Sequence, residues 1–377
     1  MDFQKVKLGT IADITTGKSN VVDSLKDGLY PFYDRSDLVK RSNRYLYDVE
    51  SAIIMPGESS TFLPKMAYGK FDLHQRAYAI FPHNGIYPEY LYYYILYAHD
   101  YFKIVSTGST VASLRLGMFL DMPIQLPSFD NQQKIASILS ALDKKIALNR
   151  QINQNLEALA RQLYDYWFVQ FDFPDANGKP YKSSGGKMVY NPILKREIPE
   201  GWEVKEIGAI LDKVKSSMKL TTNEFLANGK YPIIDQATDT YYAGFTDRED
   251  AVLDQYPAVV FGDHSCAVKY VNFPFVRGAD GTQVMISKES RISTEYLYFA
   301  VKDVKIGKGY ARHYSFLKSS LIIVPSQAVA LKFREKADNL LNQITHRREE
   351  ILSLTKQRDE LLPLLMNGQV NFDLSDD

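Results

Sequence analysis

The sequence predicts a mixed α/β (α+β) protein of two similar globular modules, each followed by a long helix. Two observations carry this. The chain repeats its own landmarks in order, and each repeat is followed by an apolar seam at helical spacing. The first half reads Val6-Lys7-Leu8-Gly9, Tyr30-Pro31-Phe32-Tyr33-Asp34, Ala52-Ile53-Ile54, Glu89-Tyr90-Leu91-Tyr92 and Leu126-Pro127-Ser128. The second half reads Val204-Lys205, Tyr231-Pro232-Ile233-Ile234-Asp235, Ala258-Val259-Val260, Glu295-Tyr296-Leu297-Tyr298 and Val324-Pro325-Ser326. The offset of about 200 residues is far beyond the ~20–50 of solenoids and propellers, so whole domains are duplicated.

The first module is expected over residues 1–128, a helix over 129–170, a linker over 171–198, the second module over 199–326 and a second helix over 327–370. Within the first module, Ala52–Met55, Ala77–Phe81 and Pro123–Leu126 read as strands between Gly, Pro, Asn and Asp. Pro88–Tyr101 reads as a helix, because proline suits the first turn and Glu89 favours the positive end of the dipole. The second module repeats the order with Ala258–Phe261 and Gln283–Ser287 as strands, Thr294–Val301 as helix and Leu321–Val324 as strand. Asp175–Gly186, with Asn177-Gly178 and Ser183-Ser184-Gly185-Gly186, reads as a loop or mobile connector.

Asp130 or Ser128 can cap the first long helix. Its seam is expected at Ile135, Ile138, Leu142, Lys145, Asn149, Ile152, Leu156, Leu159, Leu163 and Tyr166. The second is expected at Phe333, Ala337, Leu340, Ile344, Arg347, Ile351, Leu354, Arg358, Leu361 and Leu365. Such seams demand a partner helix. At about 35–38 residues, each helix would be roughly 50–57 Å long. Lys145, Asn149 and Arg347 interrupt the seams; they either fix register at a cost in stability or lie at a solvated edge. Pro363 is expected to kink or end the last turn of the second helix.

Composition narrows the class. The 377 residues are 45% hydrophobic and 24% charged, enough for a core in each half. The single cysteine, Cys266, excludes an intrachain disulfide framework and a multi-cysteine zinc site. No secretory signal is visible, and the longest apolar run, Tyr90 to Ala98, is too short to span a bilayer; a cytoplasmic protein is expected. Lys+Arg and Asp+Glu are both 45. Zero net charge leaves open a basic face, a partner that shares the nucleic acid, or a two-domain protein-interaction scaffold.

Catalytic signatures fail one by one. Thr16-Gly17-Lys18-Ser19 contains a GKS triplet, but Ala12 stands where a phosphate loop needs glycine, so a turn after a strand is expected. Asn191-Pro192-Ile193-Leu194 lacks the second proline and the aromatic ring of an amino-methyltransferase tetrapeptide. No glycine run has Rossmann spacing, and the six histidines make no metal pattern. His264-Ser265-Cys266 has no base placed beside it by sequence and reads as turn or binding surface. The 26 tyrosines lie mostly in strands and the Tyr90–Tyr101 helix, where core packing accounts for them.

Ligand-facing chemistry gathers at matching places instead. In the first module Ser59, Ser60 and Thr61 are followed by Lys65, Lys70, Gln75 and Arg76, with Ser109, Thr110 and Arg115 before the last strand. In the second, His264 and Ser265 are followed by Lys269, Arg277 and Thr282, with Lys308, Tyr310, Arg312 and His313 before the last strand. Lys and Arg neutralise phosphates, Ser and Thr bind phosphate oxygens, and Arg, Gln and His read base edges. Any one of these residues also suits a solvated loop. Their recurrence in both repeats points to a ligand, and their unlike identities suit two modules reading different sequences.

Four stretches resemble the specificity subunit of type I restriction–modification enzymes, over nearly the full length. They are Asn131-Gln132-Gln133-Lys134-Ile135-Ala136-Ser137-Ile138-Leu139 with Leu142-Asp143; Leu163-Tyr164-Asp165-Tyr166-Trp167-Phe168-Val169-Gln170-Phe171; Ile198-Pro199-Glu200-Gly201-Trp202; and Leu361-Leu362-Pro363-Leu364-Leu365-Met366-Asn367-Gly368-Gln369-Val370. The second helix departs at its start, with Gln327-Ala328-Val329-Ala330. The resemblance implies two target-recognition domains, each reading half of a bipartite double-stranded DNA site. It also implies two antiparallel spacer helices with pseudo-twofold symmetry. The subunit itself would be non-catalytic and would bind two methyltransferase subunits and up to two restriction subunits, with no membrane association. S-adenosylmethionine, ATP and Mg2+ would belong to those partner subunits.

Overall fold

Ala52-Ile53-Ile54-Met55 and Ala258-Val259-Val260-Phe261 lack polar side chains, so strands built from them must be covered on both faces. The computed structural model, which describes residues 2–108, 112–215, 218–278, 281–307 and 313–370, places each at the centre of its own unit. One unit comprises Met1–Leu148 and Glu350–Asp377, the other Asn149–Glu349.

In the first unit, strand Tyr47–Pro56 lies inside a six-stranded sheet. The order is Ala12–Thr16, Ala77–Pro82, Tyr47–Pro56, Lys65–Leu73, Tyr30–Tyr33 and Lys40–Ser42. All pairings are antiparallel except Tyr30–Tyr33 with Lys65–Leu73. Side chains alternate in destination: Ile53 and Met55 pack with Tyr90 and Leu91 of helix Pro88–Tyr97, while Ala52 and Ile54 pack with Ala67 and Phe71. Gln4–Lys7 pairs antiparallel with Pro123–Leu126. The expected helix Pro88–Tyr101 is two helices, Pro88–Tyr97 and His99–Val105, which join at Ala98.

The second unit repeats these relations. Val259 and Phe261 join the cluster of Tyr296 and Leu297, whereas Ala258 and Val260 join Ile234 and Phe275. Ala258–Gly262 pairs with Val268–Val271 and Thr282–Met285, and Tyr231–Ile234 again runs parallel to a neighbour, Phe275–Gly278. Glu203–Glu206 pairs with Leu321–Val324, as Gln4–Lys7 does with its partner. The tyrosine of each Glu-Tyr-Leu-Tyr helix donates to the last strand: Tyr90 to the Gln125 carbonyl and Tyr296 to that of Ile323, the latter at 2.7 Å. Most tyrosines of these helices are core residues.

The long helices are Phe129–Tyr164, extended by a π-helical turn Asp165–Val169, and Gln327–Met366. Ser128 Oγ accepts from Asn131 N at 3.4 Å, so Ser128 is the cap. In the first unit Arg358 pairs with Asp143 at 3.0 Å and Glu350 with Lys145 at 2.6 Å; in the second, Arg347 donates to Asn149 at 3.1 Å and Asn153 to the Ile344 carbonyl at 3.4 Å. In each unit the contact runs antiparallel.

The second seam follows the expected series, every position at least partly buried. The first needs correction at every other position. Ile135, Leu142, Asn149, Leu156 and Leu163 face inward, but Ile138, Lys145, Leu159 and Tyr166 are exposed; Leu139, Ile146, Ala160 and Trp167, one residue on, are buried instead, and Asn153 is more deeply placed than Ile152. The steps therefore run four–three, not three–four. Small Ala160 and hydrogen-bonded Asn153 occupy contact positions that a purely apolar reading assigns to their neighbours. Asn149, 2% exposed, is a true seam residue, whereas Lys145 sits at the solvated edge. Pro363 does not end the helix, which continues to Met366. Gly368, at φ +68, ends it: its N–H bonds the Leu365 carbonyl and that of Gln369 the Leu364 carbonyl.

Residues 175–186 are pinned and not a free connector. Asp175 Oδ1 accepts from Asn177 N and Lys179 N, Asp172 accepts from Ser183, and Tyr181 stacks on Phe173 at 4.6 Å.

Candidate nucleic-acid interface

In the first unit three strand ends converge at one edge of the module. Tyr30–Tyr33 delivers Asp34 and Arg35, Tyr47–Pro56 delivers Gly57 and Glu58, and the turn from Lys65–Leu73 into Ala77–Pro82 delivers His74, Gln75 and Arg76. Glu58 accepts from Arg35 at 2.6 Å and from Arg76 at 2.8 and 3.1 Å. Burial pushes the Glu58 carboxyl up, but the Arg35 and Arg76 hydrogen bonds outweigh it and hold it below its ordinary value. Both arginine side chains remain about half exposed, at 49% and 57%. Gln75 donates to Asn20 at 2.6 Å, and these residues form a shallow concavity with His74. His74 Nδ1 accepts from Arg76 N at 3.0 Å, which makes it the neutral tautomer.

The remaining first-module candidates divide. Ser59 Oγ accepts from Thr61 N and Phe62 N, so it shapes its own turn beside Ser60 and Thr61. Arg115 follows Leu114, whose N–H bonds the Gly57 carbonyl, so its loop lies against the Glu58 loop. Lys65 is half-buried and donates to the Ser36 carbonyl. Lys70 lies away from the edge, against Asp48 at 3.9 Å and over the Tyr45 ring. Ser109 and Thr110 lie outside the described residues.

In the second unit the corresponding edge lacks this ion-pair cluster among the described residues. Gln236 follows Asp235 as Arg35 follows Asp34. Gln236 Oε1 accepts from His264 N at 3.1 Å and its carbonyl from Ser265 Oγ at 2.6 Å. Asp263 Oδ1 accepts from Tyr314 N at 2.7 Å, which brings helix His313–Ser319, and His313 at its start, to the same edge. Thr282 opens the neighbouring strand and is fully buried. Arg277 pairs in register with Ile234, and burial pushes its guanidinium down from the ordinary value. Lys308, Tyr310 and Arg312 lie outside the described residues. Cys266, in the turn at φ +57, has its thiol pushed up by burial, the opposite of nucleophile activation.

Register makes one equivalence that the sequence conceals. Lys65 lies opposite Ile54 and Lys269 opposite Val260, so the two lysines occupy the same site. Lys269 is 8% exposed and reaches Asp235 at 3.5 Å and the Tyr241 carbonyl at 3.2 Å. Burial depresses both ammonium groups, while Asp37 and Asp34, or Asp235, oppose it. As placed, these lysines brace the edge from below and do not project from it.

The set-aside motifs are structural. Lys18 N and Ser19 N both bond the Leu73 carbonyl, and a Cβ at Gly17 would lie 1.9 Å from that oxygen. Asn191 Oδ1 caps a hairpin turn through Ile193 N and Leu194 N. Among the described residues no group of three His, Cys, Asp or Glu side chains is placed to hold a metal, and no helix is long and apolar enough to cross a membrane.

Residues 1–158 and 199–352 match the type I restriction modification DNA specificity domain. The specificity subunit of the type I restriction enzyme MjaIX from Methanocaldococcus jannaschii is 30% identical over 318 residues, covering 77% of this chain and 71% of that protein. The HindI specificity subunit from Haemophilus influenzae is 23% identical over 359 residues, covering 76% and 78%. The crystal structure of the type I restriction-modification S subunit from M. genitalium shares the fold, with a TM-score of 0.65 and 16% identity over 97% of this chain and 96% of that one.

Proposed function

The chain belongs to the family of type I restriction-modification specificity subunits, and from that premise we propose that its two modules read the two halves of one bipartite DNA site. The family makes it the non-catalytic, DNA target-recognition subunit of its system, which sets aside the protein-scaffold alternative. The observation that carries the bipartite reading is the double match, residues 1–158 and 199–352, on two units of like topology with unlike edge residues.

In this reading each sheet edge enters the major groove. Base contacts supply discrimination, and Lys and Arg contacts to phosphate supply the salt-sensitive part of affinity. The paired long helices set the unread gap between half-sites; at 36 and 40 residues they are about 54 and 60 Å long, against ~34–36 Å for a turn of B-DNA. Their outer faces carry two methyltransferase subunits and, through them, up to two restriction subunits, which bind S-adenosylmethionine, ATP and Mg2+. Methylation mapping tests this. Lengthening both helices by equal whole turns should change the gap and leave both half-sites intact; altered half-sites with an unaltered gap would contradict it.

A further inference from the structure

Three positions at the first module's edge have no chemical counterpart in the second. Arg35 corresponds to Gln236, each following the aspartate of the Tyr-Pro strand. Glu58 corresponds to His264, each two residues past the end of the central strand. Arg76 corresponds to Gly281, since their carbonyls accept from Gly57 N and Asp263 N at 2.9 and 2.8 Å. The first edge therefore carries two guanidiniums on one carboxylate, and the second carries none of the three.

The carboxylate decides what the arginines are for. A phosphate contact needs positive charge and tolerates a mobile side chain, so a clamping Glu58, which cancels half the pair's charge, works against it. A base contact needs the planar fork held in one orientation, which is what bonds from both arginines to Glu58 supply. Guanine presents two acceptors, O6 and N7, spaced for such a fork. Arg76 has the better platform: its backbone N–H is tied to His74 Nδ1 and its carbonyl to Gly57 N, while the side chain stays 57% exposed.

We propose that Arg76, flanked by Arg35, is the specificity-determining side chain of the first module and reads the O6 and N7 of a guanine, with Glu58 as its positioning residue. This rests on the DNA-reading function above.

The test maps methylated sites in cells making the complete complex with the wild-type chain, Arg76→Ala, Arg76→Lys or Glu58→Gln. In parallel, binding to the target and to random duplex is titrated against salt. The expected wild-type motif has a G·C pair in one half-site. Arg76→Ala makes that one position degenerate, with discrimination there falling about tenfold to a hundredfold, and leaves the other half-site and the gap unchanged. Arg76→Lys keeps charge and stem, so it survives if the alanine variant fails to fold; without the planar fork it restores the guanine preference only in part. Glu58→Gln relaxes the same position, less severely. An unchanged motif in Arg76→Ala, or a wild-type motif with no G·C pair in either half-site, overturns the proposal. So does full rescue by Arg76→Lys together with, in Arg76→Ala, a uniform affinity loss and a salt slope shallower by about one, the mark of a phosphate contact. A wild-type complex without any defined motif overturns the DNA-reading premise instead.

Discussion

At the first module's sheet edge one carboxylate holds two guanidiniums; at the second module's edge the same three positions are an amide, an imidazole and a glycine. Beneath those edges the modules are alike. Each has the parallel strand pair, the two-faced central strand, the helix tyrosine bonded to the last strand, and a lysine at one register position. The difference separates two constraints. Residues that share a core with both faces of a sheet cannot vary without leaving a cavity or an unpaired polar group. Edge side chains bond one another, nearby backbone and solvent without entering the shared core, and are free to diverge.

The largest effect is expected at the buried lysine. Asp235→Ala leaves the buried Lys269 ammonium bonded to the Tyr241 carbonyl with only the more weakly acting Asp239 opposing its burial, and should cost about 3 kcal/mol. Lys269→Met, which removes the charge and keeps the volume, should cost less, because Asp235 is 19% exposed and keeps its bond from Ala237 N. Denaturant unfolding of the two variants checks this, and equal losses would mean that the lysine has access to water. In the first module Asp34 also pairs with Lys40 at 2.6 Å, so Lys65→Met should again be tolerated while Asp34→Ala is not.

Next in size are the matched tyrosines. Tyr90→Phe and Tyr296→Phe each remove a buried hydroxyl bonded to a strand carbonyl, and each should cost about 1 kcal/mol by the same unfolding assay. Values differing by more than a factor of three would show that the repeated contact is not energetically repeated.

A third test sharpens the contrast by pH. Burial, followed by Arg35, Arg76 and Lys40, holds the His74 imidazole below its ordinary 6.5, against the opposing Asp34. The unfolded chain therefore takes up the proton first, and stability falls as pH drops below 6.5 through the lower folded value. Protonation at Nδ1 also removes the acceptor for Arg76 N. Protection of the Arg76 amide, corrected for intrinsic exchange, should fall between pH 7 and 5. The second module has Gly278 at the strand position after Arg277 and should show no such step.

The smallest effect is expected from Lys145→Ala. Its ion pair with Glu350 is 58% exposed on the lysine side, and thermal unfolding should register under about 0.5 kcal/mol.

What the sequence displayed, and what it hid, follows the same division. Repeated landmarks and apolar seams report burial, which imposes period and order; hence the duplicated topology and the second helix seam were legible. The first seam was half legible: at Asn153 and Ala160 polarity and small size disguise inward positions, whereas Leu139, Ile146 and Trp167 are apolar and mark the four–three spacing openly. Arg76 stood out as a basic residue after a strand. Arg35 did not, and Glu58 read only as one residue of the polar loop Gly57-Glu58-Ser59-Ser60-Thr61, because nothing local connects residues 35, 58 and 76 until three strand ends meet. Lys65 and Lys269 read as surface cations because lysine usually is one; only strand register shows that they share a buried site. Residues 175–186 looked loose from their Asn, Gly and Ser content, yet Asp172 and Asp175 turn those backbone N–H groups inward.

If each module reads its own half-site independently of the other, exchanging one module exchanges one half-site. Residues 1–128 are replaced by the corresponding segment of a related specificity subunit of known target, and methylation is mapped genome-wide in cells making the complete complex. One half-site of the motif should become the donor's while the other half-site and the gap stay as in wild type. A motif altered in both halves, or in neither, would contradict it.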